Sequence, residues 1–88
     1  MDWKISYSED AIKQLKRLDK SVQNEIITYL HERIECSENP RRFGKQLRYN
    51  LKEYWVYRVG DYRILCLIKD QVVTIVVAEV EHRRSVYK

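Results

Sequence analysis

The spacing of apolar residues switches from helical to alternating midway along this chain, and that switch constrains the fold more than any other feature. From Ile12 to Ile34 apolar side chains recur at helical spacing; from Tyr54 onward they recur at every second position. Helical periodicity followed by strand periodicity predicts segregated layers, with helices on one face of an antiparallel sheet (α+β). Before the helices, Trp3, Ile5 and Tyr7 alternate with Lys4, Ser6 and Ser8, which reads as a short amphipathic strand. Ser8 followed by Glu9 and Asp10 is a helix start, a capping oxygen ahead of acids at the positive end of the helix dipole. Ile12, Leu15 and Leu18 form one apolar face, and Asp19 breaks that helix and caps the next. Val22, Ile26, Ile27, Leu30 and Ile34 continue at helical spacing until the stretch from Ser37 to Pro40 stops them. Two antiparallel helices joined by a short turn are expected.

The second half reads as strands. Residues 41–53 are basic and irregular, with one strand expected near Gln46 to Tyr49. Strands are expected from Tyr54 to Val59, Tyr62 to Ile68 and Val72 to Val80, with turns at Gly60-Asp61 and Asp70-Gln71. The run from Val72 to Ala78 is apolar on both parities except for Thr74, which places that strand inside the sheet. With 88 residues, no repeat and no linker, one domain spanning 1–88 is expected. A domain of this size buries only about 60–65% of its unfolded surface and has no room for a separate cofactor-binding unit. No apolar stretch approaches membrane-spanning length, so no membrane association and a cytoplasmic location are expected. Cys36 and Cys66 lack metal-ligand spacing and read as reduced thiols; neither a metal nor a cofactor is expected.

The charge is uneven. Residues 41–63 carry Arg41, Arg42, Lys45, Arg48, Lys52, Arg58 and Arg63 against only Glu53 and Asp61, on a chain of net charge +4. A basic middle on a near-neutral body suits a polyanion, nucleic acid above all, or a solvated basic surface. A two-residue turn at Gly60-Asp61 sets Arg58 opposite Arg63. Like charges directly opposite destabilise a hairpin unless solvent, a carboxylate or a bound anion relieves them. Two forked guanidiniums on an open face suit a phosphate; a pair splayed into water or bridged by Glu79 or Glu81 is the alternative. The stretch from His82 to Tyr87 then brings imidazole, guanidinium and phenol to the end of the same sheet. Metal-free RNA cleavage needs such groups: a 2′-hydroxyl must lose a proton, the pentacoordinate phosphate needs its charge neutralised, and the leaving 5′-oxygen needs a proton. Trp55 and Tyr57 have the parity opposite Arg58 and are expected against the helices, whereas Tyr54 shares the Arg58 face and is a candidate for base stacking.

The segments from Ser8 to Leu18, Lys45 to Leu47, Tyr54 to Ile64 and His82 to Lys88 together resemble the RelE/ParE superfamily of toxins, and its RelE branch best. The specific parts are Tyr57-Arg58-Val59-Gly60-Asp61-Tyr62-Arg63-Ile64 and His82-Arg83-Arg84-Ser85-Val86-Tyr87. The resemblance implies two N-terminal antiparallel helices on a small antiparallel sheet, a RelE-like and microbial-ribonuclease-like fold. It implies a toxin of a toxin–antitoxin pair that cuts mRNA in the ribosomal A site, without a metal, by attack of the 2′-hydroxyl on the neighbouring phosphate. By that resemblance Arg63 grips the scissile phosphate, Arg58 supports it, Arg83 stabilises the transition state, Tyr87 contacts the reacting base or 2′-hydroxyl, and His82 serves proton transfer or orientation. Lys45, Arg48, Lys52, Tyr54 and Arg84 are further RNA-binding candidates. The implied partners are a RelB-like antitoxin, the 70S ribosome with its mRNA, and operator DNA only through the antitoxin. The chain departs from the family where basic residues are usual on the first hairpin strand: Tyr54 and Val56 stand there. A ParE-like gyrase inhibitor without nuclease activity and a non-catalytic antitoxin- and operator-binding module remain as alternatives.

Overall fold

The computed structural model describes residues 3–82. In chain order they form β1 (Lys4–Tyr7), α1 (Glu9–Lys16), α2 (Lys20–Tyr29), β2 (Lys45–Gln46), β3 (Tyr54–Val59), β4 (Tyr62–Lys69) and β5 (Thr74–His82), with short 3-10 turns in the connections. The strands make one sheet in the order β1-β5-β4-β3-β2. The hairpins run antiparallel, and β5 lies between two neighbours, as its two-sided apolar character predicts.

The predicted helix signals are used locally. Ser8 caps α1, its hydroxyl accepting from the Ala11 amide at 3.0 Å. The end of α2 widens into a π-type turn, Leu30–Ile34, and Ile26, Leu30 and Ile34 are fully buried against the sheet. They meet Tyr57, Val59, Ile64 and Cys66 of the hairpin and Ile75, Val77 and Val80 of β5 in one core. The Tyr57 ring is wholly inside, and its hydroxyl donates to the Pro40 carbonyl at 2.7 Å. That hydrogen bond holds the Pro40–Phe43 turn to the sheet. Gly44 follows the turn because a Cβ there would sit 3.0 Å from the Tyr57 ring.

Several expectations need correction. β1 pairs with β5 in parallel, so the sheet is not wholly antiparallel; the two helices lie between those strands and provide the crossover a parallel pair requires. The strand expected from Gln46 to Tyr49 is only β2, because Tyr49 turns into the left-handed region (φ 59°) and starts a 3-10 turn. Asp70–Val72 is a 3-10 turn ended by Val73 at φ 48°, so β5 starts at Thr74 and Val72 is solvent-exposed. Ile12 is 41% exposed: Ala11, not Ile12, joins Leu15 in facing the core. Trp55 has the predicted parity, but its cover is the Arg41 guanidinium, 5.7 Å from the ring centroid, and not a helix.

One irregularity sets the functional face. The register slips between Leu65 and Cys66: Leu65 pairs with Glu79 but Cys66 pairs with Val77, leaving Ala78 as the extra residue of a bulge. Val77 and Val80, three positions apart, therefore both face the core. Backbone groups at the irregularity are satisfied from α1 and the residue that caps it. Ser8 Oγ donates to the Ala78 carbonyl at 2.6 Å, and the Val80 amide donates to Gln14 Oε1 at 2.6 Å.

Candidate functional site

The sheet face turned away from the helices carries two ordered rows. Arg58, Arg63 and Glu81 are register partners across β3, β4 and β5; Lys45, Val56, Leu65 and Glu79 form the row beside them. Arg58 opposite Arg63 is the pairing that the Gly60-Asp61 turn predicts, and Gly60 adopts φ 59°, the conformation such a turn demands. Directly opposed residues have Cα atoms about 4.5–5.5 Å apart, so two guanidinium stems leave the sheet side by side. The Ala78 bulge turns Glu79 and Glu81 onto this face. Burial raises the Glu81 carboxyl above its usual range, and the charge of Glu79 and a hydrogen bond to it act in the same direction.

A groove of about 710 Å³ opens beside the arginine row, lined among others by Lys45, Arg48, Leu51, Val56, Arg58 and Arg63. Four of the predicted RNA- or phosphate-contacting residues thus share one concavity. A second groove, about 600 Å³, runs between α2 and the hairpin, with Asn24, Glu25, Thr28 and Tyr29 on one wall and Arg58 and Val59 on the other. Arg58 borders both.

Other predicted residues lie elsewhere. Lys52 faces a separate depression with Arg41, Glu53, Trp55 and Lys69, and its carbonyl accepts from Gln46 Nε2 at 2.8 Å. Tyr54 is half-buried opposite Leu67, with Val56 between it and Arg58. His82 pairs with Tyr62, their rings edge to face at 5.2 Å and 89°. It shares the parity of the core residue Val80, so it leaves the sheet on the side opposite Arg63. Arg83, Arg84 and Tyr87 lie outside the described residues. Arg41 is committed to Asp70 through two hydrogen bonds of 2.9 and 2.7 Å, which hold the Asp70 carboxyl below the usual carboxylate range. Among the described residues, no three His, Cys, Asp or Glu side chains gather as metal ligands, and no helix is long and apolar enough to cross a membrane.

Two side-chain roles escaped the sequence reading. Tyr49, taken for a strand end, is 87% exposed beside the groove. On the far side of the molecule, Tyr7 Oη and His31 Nε2 lie 3.0 Å apart, and His31 Nδ1 lies 2.6 Å from Glu35 Oε1. This chain joins β1 to the end of the helical segment, and burial raises the Tyr7 phenol to about 12. The i, i+4 spacing of His31 and Glu35 was its only sequence trace.

A two-helix layer on a five-stranded, mostly antiparallel sheet with a basic outer face is the architecture of a small toxin of the RelE/ParE superfamily. The family model of the ParE toxin of type II toxin–antitoxin systems (parDE) matches residues 5–87, and the chain belongs to that family; it is the toxin of a type II pair. Toxin RelG of Mycobacterium tuberculosis is 28% identical over 88 residues, 100% of this chain and 99% of the relative. The RelBE2 toxin–antitoxin complex from Mycobacterium tuberculosis contains a chain of the same fold (TM-score 0.86, 26% identity, 94% of this chain and 93% of that one). The RelB–RelE antitoxin–toxin complex from Methanococcus jannaschii contains another (TM-score 0.72, 25% identity, 94% and 95%).

Proposed function

We propose that this toxin is a metal-free endoribonuclease of the RelE type, cutting mRNA in the ribosomal A site by attack of a 2′-hydroxyl on the adjacent phosphate. The observation that carries the reading is the direct opposition of Arg58 and Arg63 above a groove that also holds Lys45 and Arg48. Opposed like charges are unfavourable in a hairpin by themselves, whereas a phosphodiester between them accepts forked donors from both arginines. In this reading Arg63 and Arg58 hold the scissile phosphate, Arg83 stabilises the developing charge, and Tyr87 meets the reacting nucleotide. Lys45 and Arg48 guide the strand, and Lys52 and Arg84 add longer-range attraction. His82, edge to face with Tyr62 on the opposite parity, serves orientation instead of proton transfer in this reading.

Solved relatives contain RelB antitoxins, and a RelB-like antitoxin is the proposed partner here. The groove between α2 and the hairpin suits a helical segment whose acidic residues reach Arg58 and so block RNA. Operator DNA is contacted through that antitoxin, and the site of action is the cytoplasm, where translating 70S ribosomes are.

Toeprinting on ribosomes with a defined A-site codon, comparing wild type with Arg63→Ala and Arg83→Ala, tests the proposal. A cut inside the codon, lost in both variants, is expected. The second reading is a ParE-like gyrase inhibitor, favoured by the family match and by Val56 and Leu65 lying in the row beside the arginines. Absence of a cut, together with inhibition of gyrase supercoiling by the same preparation, would establish it instead.

A further inference from the structure

Tyr49 combines two costs that a purely structural residue has no reason to bear. Its backbone sits at φ 59°, where a side chain larger than glycine's is strained, and its ring is 87% exposed. It stands between Arg48 and Leu51, both of which line the basic groove, so its backbone lies at the groove's edge. Among the described residues the ring has no aromatic, cationic or hydrogen-bonding partner. Tyr54, the aromatic expected to stack, is half-buried in β3. An exposed aromatic residue next in sequence to a groove of Lys45, Arg48, Arg58 and Arg63 has the composition of a single-strand binding site, cations for the backbone and a ring for a base.

We propose that Tyr49 is a nucleobase-stacking residue, its ring receiving an unstacked base of the mRNA next to the phosphate held by Arg58 and Arg63. This inference rests on the ribonuclease reading above and adds a subsite to it. Left-handed backbone at Tyr49 ends the extended run after β2 and starts the Tyr49–Leu51 turn. Recognition by stacking is tolerant of sequence, so Tyr49 sets affinity and register of the strand more than codon choice.

The test is single-turnover cleavage on programmed ribosomes, with full-length wild type, Tyr49→Phe, Tyr49→Leu and Tyr49→Gly. Each is assayed on mRNA with a base or an abasic site at successive positions flanking the cut. Stacking of one base on one ring corresponds to a loss of about fivefold to about 150-fold in toxin concentration for half-maximal cleavage. Tyr49→Leu and Tyr49→Gly should show that loss, and Tyr49→Phe should stay near wild type. One abasic position should impose the same loss on wild type and none on Tyr49→Leu. The thermal midpoint of Tyr49→Gly should not fall, since glycine accepts φ 59° freely, which separates lost binding from lost folding. Wild-type cleavage with unchanged Leu and Gly variants overturns the stacking role alone. A loss in Tyr49→Leu that no abasic position reproduces moves the ring to ribosomal RNA or to protein and also overturns it. No cleavage by wild type removes the ribonuclease reading and this subsite with it.

Discussion

Two side chains show how single groups govern this fold and its outer face. Tyr57 is buried entirely, and its hydroxyl has the Pro40 carbonyl as partner. Tyr57→Phe removes the donor and leaves that carbonyl unsatisfied, so a loss of about 1–3 kcal/mol is expected in urea denaturation. An unchanged midpoint would mean that water replaces the phenol. Glu81 makes its contribution through a proton. Its carboxyl is raised by burial and by Glu79, so the protonated form is favoured in the folded chain. A raised folded pKa adds stability that is complete below the unfolded value, near ~4.3, and is lost as pH climbs through the folded one. Glu81→Gln keeps a neutral donor toward Glu79 and cannot ionise. The variant should therefore match wild type at about pH 4 and exceed it at about pH 7. Denaturation midpoints at the two pH values decide it, and a difference that does not change with pH would refute the raised Glu81 carboxyl.

At the level of elements, the helices, the hairpin and its register were legible because each rests on local chemistry. Ser8 with Glu9 and Asp10 starts a helix wherever it occurs, and Gly60-Asp61 fixes which residues oppose each other. The pairing of β1 with β5 depends on residues some seventy positions apart and leaves no local trace. The Ala78 bulge was equally hidden, since Val76, Val77, Ala78 and Val80 suit either face. That bulge decides the site: it turns Glu79 and Glu81 toward the arginines and His82 away from them, which strict alternation from Val72 could not foretell. Tyr49 escaped because tyrosine seldom takes a left-handed backbone and nothing in its neighbours announces one. The bulge in turn depends on α1. Gln14→Ala takes the acceptor from the Val80 amide, a partly buried group, so about 1–3 kcal/mol of stability should be lost. Amide exchange at Val80 should accelerate more than at Ile64 in mid-hairpin. Equal acceleration at both would make the effect global and deny Gln14 a local role.

Over the whole molecule, charge and stability are set against each other. The basic segment from Arg41 to Arg63 folds so that Arg41 is neutralised by Asp70 on one flank while Lys45, Arg48, Arg58 and Arg63 collect around one groove. Packing does not require that collection: Val56 and Leu65 in the adjacent row are buried, whereas Arg58 beside them is exposed. Arg58 and Arg63 oppose each other as like charges, a repulsion that Glu81 beside Arg63 moderates in the free protein and that, in the proposed reading, RNA or the acids of an antitoxin reduce further on binding. Arg58→Gln tests that exchange in both directions. Stability of the free chain should rise by about 0.2–1 kcal/mol, the scale of a directly opposed pair. The gain should shrink as salt is raised from about 0.05 to about 0.5 M, because exposed charges at this spacing are screened. Cleavage of mRNA should fall in the same variant, and the dependence of RNA affinity on salt should weaken by about one counterion. A variant less stable than wild type at low salt would mean that Arg58 is held by a carboxylate in the free protein. The opposed arginines would then be a structural ion network, and the phosphate reading would lose the observation that carries it.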